Sequence, residues 1–258
     1  MSGISFYKNW NFDNYQGYKM IIRNNISYAN RNYVPFFYSH TDPEHRKITD
    51  GNGIIVDTNR ESIKIVNGEK TSIPYIGRTL IENNVSYLNG GKGINLYKSD
   101  HIDVINNTTY QNSQTENLNL IGEIIAGEAD DINIYNNIVY PQINEKSISL
   151  WNTGSLINIG YNLIYNTDKY LSPDVGDIIG LDPLFVNIDP HTNQYDFRLK
   201  AGSPAIDNGY NQFASMVDGD GIARPVNNEY DMGAYEFTGQ KTKGRKIKRH
   251  SRWNVLID

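Results

Sequence analysis

The segment Ile/Leu-x-x-Asn-Asn-apolar-x-Tyr recurs along the first two thirds of the chain. It stands at IIRNNISY (Ile21 to Tyr28), LIENNVSY (Leu80 to Tyr87), VINNTTY (Val104 to Tyr110) and IYNNIVY (Ile134 to Tyr140), with a worn copy at IGYNLIY (Ile159 to Tyr165). The terminal tyrosines lie 59, 23, 30 and 25 residues apart, a unit of roughly 23 to 25 residues with occasional inserts. A unit that short cannot bury its own apolar face, so the copies must stack as turns of a solenoid.

A second motif alternates with the first: GISFY (Gly3 to Tyr7), GIIVD (Gly53 to Asp57), GINLY (Gly93 to Tyr97), GEIIA (Gly122 to Ala126) and SISLW (Ser147 to Trp151). Each unit therefore carries two short period-two runs, rich in β-branched and aromatic residues and bounded by Gly, Asn and Asp, which is strand and turn chemistry. No stretch has a convincing helical pattern. The 33 Ile against 13 Leu argue against a leucine-rich repeat, and a propeller blade needs about 40 residues. The expected fold is all-β, a right-handed parallel β-helix with a C-terminal capping segment.

Successive coils at the strand spacing of about 4.8 Å turn equivalent positions into columns. The expected inward columns are Ile4, Ile54, Ile94 and Ile148, then Phe6, Val56, Leu96 and Leu150. One Asn of each doublet (Asn24, Asn83, Asn106 and Asn136, or its neighbour) should stack at a bend, where amides bond one another and the turn backbone. That periodicity marks the asparagines as structural. The sequons at Asn25, Asn84 and Asn107 fall inside the repeat for the same reason and are weak evidence of glycosylation.

The expected organisation is coils over 1–179 with loop inserts at 31–50 and 58–77, a closing segment over 180–237 and a basic tail over 238–258. No apolar run approaches the roughly 18 residues of a membrane span. The absence of Cys excludes disulfides and thiolate metal sites. Met1-Ser2-Gly3 leads straight into the first repeat strand, without signal peptide or amphipathic cap. This is expected of an internal fragment, the preferred reading, or of an uncapped first coil covered by another chain in an oligomer. Residues 1–237 carry 17 basic against 28 acidic residues, a net of −11, whereas 238–258 carry seven basic residues against Asp258 alone. The tail lacks the interleaved aromatics of a nucleic-acid stacking surface, so it is expected to be a solvated extension and nucleic acid is disfavoured as a partner.

Beyond the last coil come GLDPLFVN (Gly180 to Asn187), YDFRLKAGSPAIDNGYN (Tyr195 to Asn211), DGDGIARP (Asp218 to Pro225) and YDMGAYEF (Tyr230 to Phe237). In that order they resemble the end of bacterial secreted right-handed parallel β-helix proteins of the pectate-lyase-like superfamily. The resemblance implies a secreted or cell-surface β-helix. Physically the segment suits a closing device, with Pro183 and Pro204 barring central-strand pairing and Phe185, Phe197, Leu199, Ile206, Tyr235 and Phe237 able to lie on the coils. Asp182, Asp218, Asp220 and Asp231 are expected to form turns in preference to binding calcium, since DGDG lacks an EF-hand's full spacing.

Lyases and hydrolases on this scaffold, as the resemblance implies, work on the outer face of one strand column. Here that face would carry Ser5 and Tyr7, Ile55 and Asp57, Asn95 and Tyr97, with Asp50, Asn52 and Lys92 just before the strands. Uronate elimination needs carboxylates to hold calcium against the substrate and a base for the C5 proton. Asp50 and Asp57 are the metal candidates and Lys92 the base, since a lysine near a bound cation loses proton affinity. Calcium would also relieve repulsion between an acidic body and an acidic polysaccharide. Lys92 in Gly-Gly-Lys-Gly also reads as an exposed turn residue. A glycoside hydrolase would need two carboxylates about 5 to 9.5 Å apart, with Asp50, Asp57 and Glu123 as candidates. Glu123 either points inward and pairs, or a bulge turns it to the groove; a register slip at Gly122 would account for it equally.

Tyr7, Asn95 and Tyr97 are the expected substrate contacts on the sheet, and Phe36, Phe37 and Tyr38, near Tyr33, are those on the first insert. His40, Asp42 and His45 in that insert are a weak metal signal. Asp100 to Asp103 reads as turn chemistry first and as a site second. The leading expectation is a carbohydrate-active β-helix protein on an extracellular or cell-wall polysaccharide, acting as a calcium-assisted pectate-like lyase. The alternative is a non-catalytic glycan-binding, surface or tail-spike stalk.

Overall fold

A computed structural model describes residues 1–37, 46–118, 122–165, 174–239 and 255–257. The chain forms a parallel β-helix. Its first sheet stacks Ile4–Tyr7, Ile54–Asp57, Ile94–Tyr97, Ile124–Gly127 and Ile148–Trp151, every neighbour parallel. The second stacks Tyr18–Arg23, Arg78–Glu82, Ile102–Ile105, Ile132–Tyr135 and Ile157–Gly160, and Val255–Ile257 adds an antiparallel strand beside Tyr18–Arg23. The third runs from Ile26–Tyr28 through Val85–Tyr87, Thr108–Tyr110, Ile138–Tyr140 and Leu163–Ile164 to Ile178–Ile179. Among the described residues the only helical pieces are three 3₁₀ turns, at Asn59–Glu61, Glu116–Leu118 and Asn211–Phe213.

Inside the coil, β-branched residues repeat in register. Ile4, Ile54, Ile94, Ile124 and Ile148 form one buried column, and Phe6, Val56, Leu96, Ala126 and Leu150 the next. Burying an isoleucine contributes about 2 kcal/mol relative to leaving it in water, and the column repeats that gain at each coil. The two inserts leave this stack as short antiparallel hairpins, Phe36–Phe37 with Arg46–Lys47 and Ile63–Val66 with Glu69–Ser72.

The Asn doublet divides its labour. The first member takes the left-handed conformation that turns the corner, at φ 57° for Asn24, 54° for Asn83, 53° for Asn106 and 57° for Asn136. Asparagine tolerates that region better than most residues. Tyr161 holds the same place in the worn copy at φ 54° and stacks on Tyr210 with ring centroids 4.6 Å apart. The second member turns inward and builds the ladder. Asn25 donates backbone N–H and Nδ2–H to Asn84 Oδ1 at 3.1 and 3.0 Å, and the same pair of bonds passes from Asn84 to Asn107, Asn137 and Asn162. Asp177 accepts the last rung. A second ladder runs from Asn30 to Asn89 to Asn112.

The C-terminal segment makes a second core on the outside. The tyrosines that end each repeat face out from the third sheet, and Phe185, Tyr195, Phe197 and Leu199 of the hairpin Phe185–Asp189/Gln194–Leu199 pack on Tyr87 and Tyr110. The corner asparagines clamp it: Asn83 donates to Ser215 Oγ and Val217 O, Asn106 to Asp231 O, and Asn136 to Tyr210 O. The DGDGIARP and YDMGAYEF motifs meet in a buried ion pair, Arg224 Nη1 to Glu236 Oε1 at 2.7 Å, with both side chains fully inaccessible. Asp218 accepts from the backbones of Asp220, Ile222 and Glu236, and Asp231 from those of Asp207 and Phe237. Asp220 pairs with Arg198, and Asp182 accepts from Leu184 N. Turn and cap bonds thus occupy Asp182, Asp218 and Asp231, and an ion pair occupies Asp220.

Asn107→Ala removes ladder bonds in both directions and is expected to cost about 2 to 4 kcal/mol in urea unfolding. The same change at exposed Asn24 is expected to cost about 1 kcal/mol. Glu236→Ala strands the buried Arg224 guanidinium and is expected to cost about 3 to 5 kcal/mol by the same measurement.

Candidate functional site

Alternation along the strands of the first sheet sends every second residue outward, and the parallel register aligns these residues into two outer columns. One is Ser5, Ile55, Asn95, Ile125 and Ser149; the other is Tyr7, Asp57, Tyr97, Gly127 and Trp151. The face is not a uniformly open groove. Ile55, Asn95 and Ile125 of the middle coils are buried, whereas Tyr7 is 61% and Trp151 47% exposed at the ends.

Lys92 stands directly before the strand Ile94–Tyr97, stacked on Asn52 of the preceding coil. Its N–H donates to Asn52 Oδ1 at 3.0 Å, and its carbonyl accepts from Gly53 N at 2.9 Å. It is partly buried, and burial holds its ammonium below the usual lysine range, with the field of Asp50 opposing. Asp50 accepts from Ser2 Oγ at 3.4 Å, and Ser2 Oγ accepts from Asn52 Nδ2 at 3.1 Å. Burial raises Asp57 above the usual carboxylate range; a bond from Thr58 Oγ1 at 2.6 Å opposes the rise, and the like charges of Asp50 and Glu61 add to it. Asp50 thus acts electrostatically both on Lys92 of the next coil and on Asp57 of its own, and Asn95 and Tyr97 continue the strand that Lys92 opens.

Two carboxylates are a hard-oxygen pair of the type calcium takes, but that ion binds about six to eight oxygens. Among the described residues no group of three or more His, Asp or Glu converges, so substrate and water would have to complete any such shell at Asp50 and Asp57.

Glu123 lies elsewhere. Ile124, not Glu123, pairs with Ile94, so the glutamate occupies the column of Gly3, Gly53 and Gly93. In the coil after it that position is Ser147, and in the three coils before it glycine, because the ladder amides and the hydroxyls of Ser27 and Ser86 fill the space a Cβ would need. Glu123 fills it instead as the terminal rung. Its Oε1 accepts from Asn112 N at 2.7 Å and its Oε2 from Asn112 Nδ2 at 2.5 Å, in a site 1% exposed. Burial pushes its carboxyl up to about 8, against the lowering effect of the Asn112 bonds and with Glu145 adding to the rise.

On the first insert, Phe36 is 61% and Tyr33 81% exposed, and Phe37 pairs with Arg46 in the short hairpin. Tyr38, His40, Asp42 and His45 lie outside the described residues. The Asp100–Asp103 segment enters an ionic network on the second sheet. Arg78 grips Asp103 through Nε at 2.8 Å and Nη2 at 2.5 Å and reaches Asp131 through Nη1 at 2.8 Å, while His101 Nδ1 lies 2.7 Å from Asp131 Oδ2. Tyr18 Oη donates to Asp103. These pairs stitch four successive coils together. Sequence reasoning passed over Trp151 and Gly127 as site residues, although aligning SISLW with GINLY puts Trp151 in the column of Tyr97.

No protein-family model matches the chain, and no curated protein matches it. Among solved structures the chain is similar to the crystal structure of pectate lyase Pel9A, at 18% identity and a TM-score of 0.45, over 84% of this chain and 44% of that one. The chain therefore spans less than half of that protein, and its coil architecture stands on its own strand register.

Because Glu123 binds its proton more tightly folded than unfolded, its contribution to stability is complete below its unfolded value of 4.5 and declines as pH rises to about 8. Glu123→Gln, which loses one of the two Asn112 bonds, should cost about 1 to 2 kcal/mol at pH 5. That penalty should shrink towards pH 8.5 when urea unfolding of parent and variant is compared across the range.

Proposed function

We propose that the chain is a carbohydrate-active β-helix protein of the cell exterior, which cleaves an extracellular or cell-wall uronate polysaccharide by β-elimination. The observation that carries this reading is Lys92, a partly buried lysine of reduced proton affinity just before the strand Ile94–Tyr97, with Asp50 acting on both it and Asp57. As a free amine, Lys92 Nζ takes the C5 proton. The electrons of the C5–H bond form the C4=C5 double bond, and the O4 glycosidic oxygen leaves and is protonated. Asp50 and Asp57 would hold a calcium ion, which when bound neutralises the substrate carboxylate and so acidifies C5–H. Tyr7 and Tyr97 contact neighbouring sugars from the sheet, with exposed Phe36 available on the insert.

A second reading, a non-catalytic glycan-binding stalk, is favoured by the exposure of Tyr7 and Trp151, whose rings suit sugar contact without any chemistry.

The test is incubation with polygalacturonate or alginate plus calcium, monitored at the unsaturated-uronide absorbance band. Activity should rise with pH through the Lys92 titration, below the ordinary lysine range. Lys92→Arg, which cannot supply a free amine, and Lys92→Ala should each lose about 100-fold or more, and Asp57→Ala should raise the calcium requirement. Binding with no absorbance rise would favour the stalk; activity unchanged in both Lys92 variants would remove the lysine from the chemistry.

A further inference from the structure

We propose that Trp151 and Tyr97 form a stacking platform for an uncharged sugar ring, alongside the Lys92 centre and distinct from it. The proposal rests on the polysaccharide reading above and adds the kind of sugar that this part of the face accepts.

The platform is built by an absence. In the outer column Tyr7, Asp57, Tyr97, Gly127, Trp151, the glycine sits between two large rings. A Cβ placed on Gly127 would run into the Trp151 indole. The indole has therefore leaned across the vacant rung towards Tyr97, to a centroid distance of 5.9 Å and an interplanar angle of 28°. Gly127 needs no left-handed backbone angle, so backbone geometry does not demand glycine here. The close approach of the indole does. Trp151 remains 47% exposed, and a tryptophan placed outward, with the interior column already filled by Leu150, adds little to the core.

The groups beside the rings decide what could lie on them. The next position along each coil carries Lys8, Thr58, Lys98, Glu128 and Asn152, all at positive φ and so all on the same bend. Lys98 Nζ lies 3.1 Å from Glu61 Oε1, 3.9 Å from Glu128 Oε2 and 5.5 Å from the Tyr97 ring centroid. Lys8 Nζ lies 4.0 Å from the same Glu61 and 5.5 Å from the Tyr7 ring. Tyr97 Oη lies 3.5 Å from Glu128 Oε1. Beside the rings Glu61 and Glu128 balance Lys8 and Lys98, and both ammoniums already have carboxylate partners. Among the described residues on this bend, a carboxylated ring would meet no unpaired cation.

An uncharged pyranose suits both halves of the arrangement. Its C–H face is apolar with slightly positive hydrogens, complementary to the negative face of an indole. Its rim of hydroxyls can donate to Glu61 and Glu128 and accept from Lys98. Coils rise by about 4.8 Å, comparable to one ring of an extended chain. A polymer reaching from the coil of Lys92 and Tyr97 to that of Trp151 would thus place an uncharged sugar one or two rings from the reacting uronate. The substrate class is then a mixed polymer in place of a pure polyuronate.

The experiment titrates the full chain with galactan, xylan and glucomannan as uncharged probes and with polygalacturonate as the charged one. Tryptophan fluorescence and calorimetry report binding, and the uronide absorbance band reports cleavage. Trp151→Ala should weaken binding of at least one uncharged polymer by roughly tenfold or more. Gly127→Ala, which displaces the indole without deleting it, should weaken the same polymer while thermal unfolding stays close to that of the parent. The proposal is overturned if both variants bind as the parent does, if the parent binds none of the uncharged polymers, or if only polygalacturonate depends on Trp151. The two readings fail separately. Uronide product with unchanged KM in Trp151→Ala removes the platform and leaves the lyase; Trp151-dependent binding of an uncharged polymer with no product from any polymer does the reverse.

Discussion

Everything in this molecule depends on one coil lying over the next in register, and the asparagine ladder is the interaction that enforces it. Isoleucine columns reward stacking but tolerate sliding, because dispersion and burial have no direction. A side-chain amide that must accept two N–H bonds from the coil before it, while donating to backbone carbonyls within the turn, has one satisfactory position. A slip by one residue would leave buried amides unpaired, at about 1 to 3 kcal/mol each.

The ladders also explain where their ends fall. Each rung passes donors forward, so the last rung needs acceptors for the rung before it and no amide to pass on. Asp177 closes one ladder and Glu123 the other. The exposed faces of the bends are used as well, since the corner asparagines hold the C-terminal segment while the outward tyrosines supply its apolar bed. Interior and exterior cores therefore share the same eight-residue motif, and the strand and loop columns they leave free are those of the candidate site.

Much of this was legible in the sequence because a stacked fold writes its contacts as periodicity. The inward columns of Ile4, Ile54, Ile94 and Ile148 followed from aligning the glycine-led strands, and the ladder from the Asn doublets. Which Asn of the pair formed it did not, because both are bend residues and only backbone conformation separates the left-handed corner from the inward rung. Glu123 was out of register because Gly122 imitates the leading glycine of the other coils, whereas the structural equivalent of Gly93 is the glutamate itself. Arg78, Asp131 and Tyr18 escaped notice because their partners lie one or two coils away and follow no repeat. Trp151 was in plain view, but its meaning lies in the missing side chain of Gly127, and an absent group leaves little trace in a sequence. The C-terminal motifs looked like aspartate-rich turns and did not disclose that Arg224 and Glu236 would meet inside the cap.

The forward direction of the ladder has an evolutionary corollary. Because every rung presents the same acceptor to its predecessor and the same donors to its successor, copying one coil in tandem inserts a module whose two faces already match. Such a chain can lengthen by gene duplication without new complementarity having to be invented, whereas a coil placed back to front would set donors against donors. Drift among the copies, as in the worn fifth one, is then free to alter the outward columns alone, so that recognition can diversify on a frame that hardly changes.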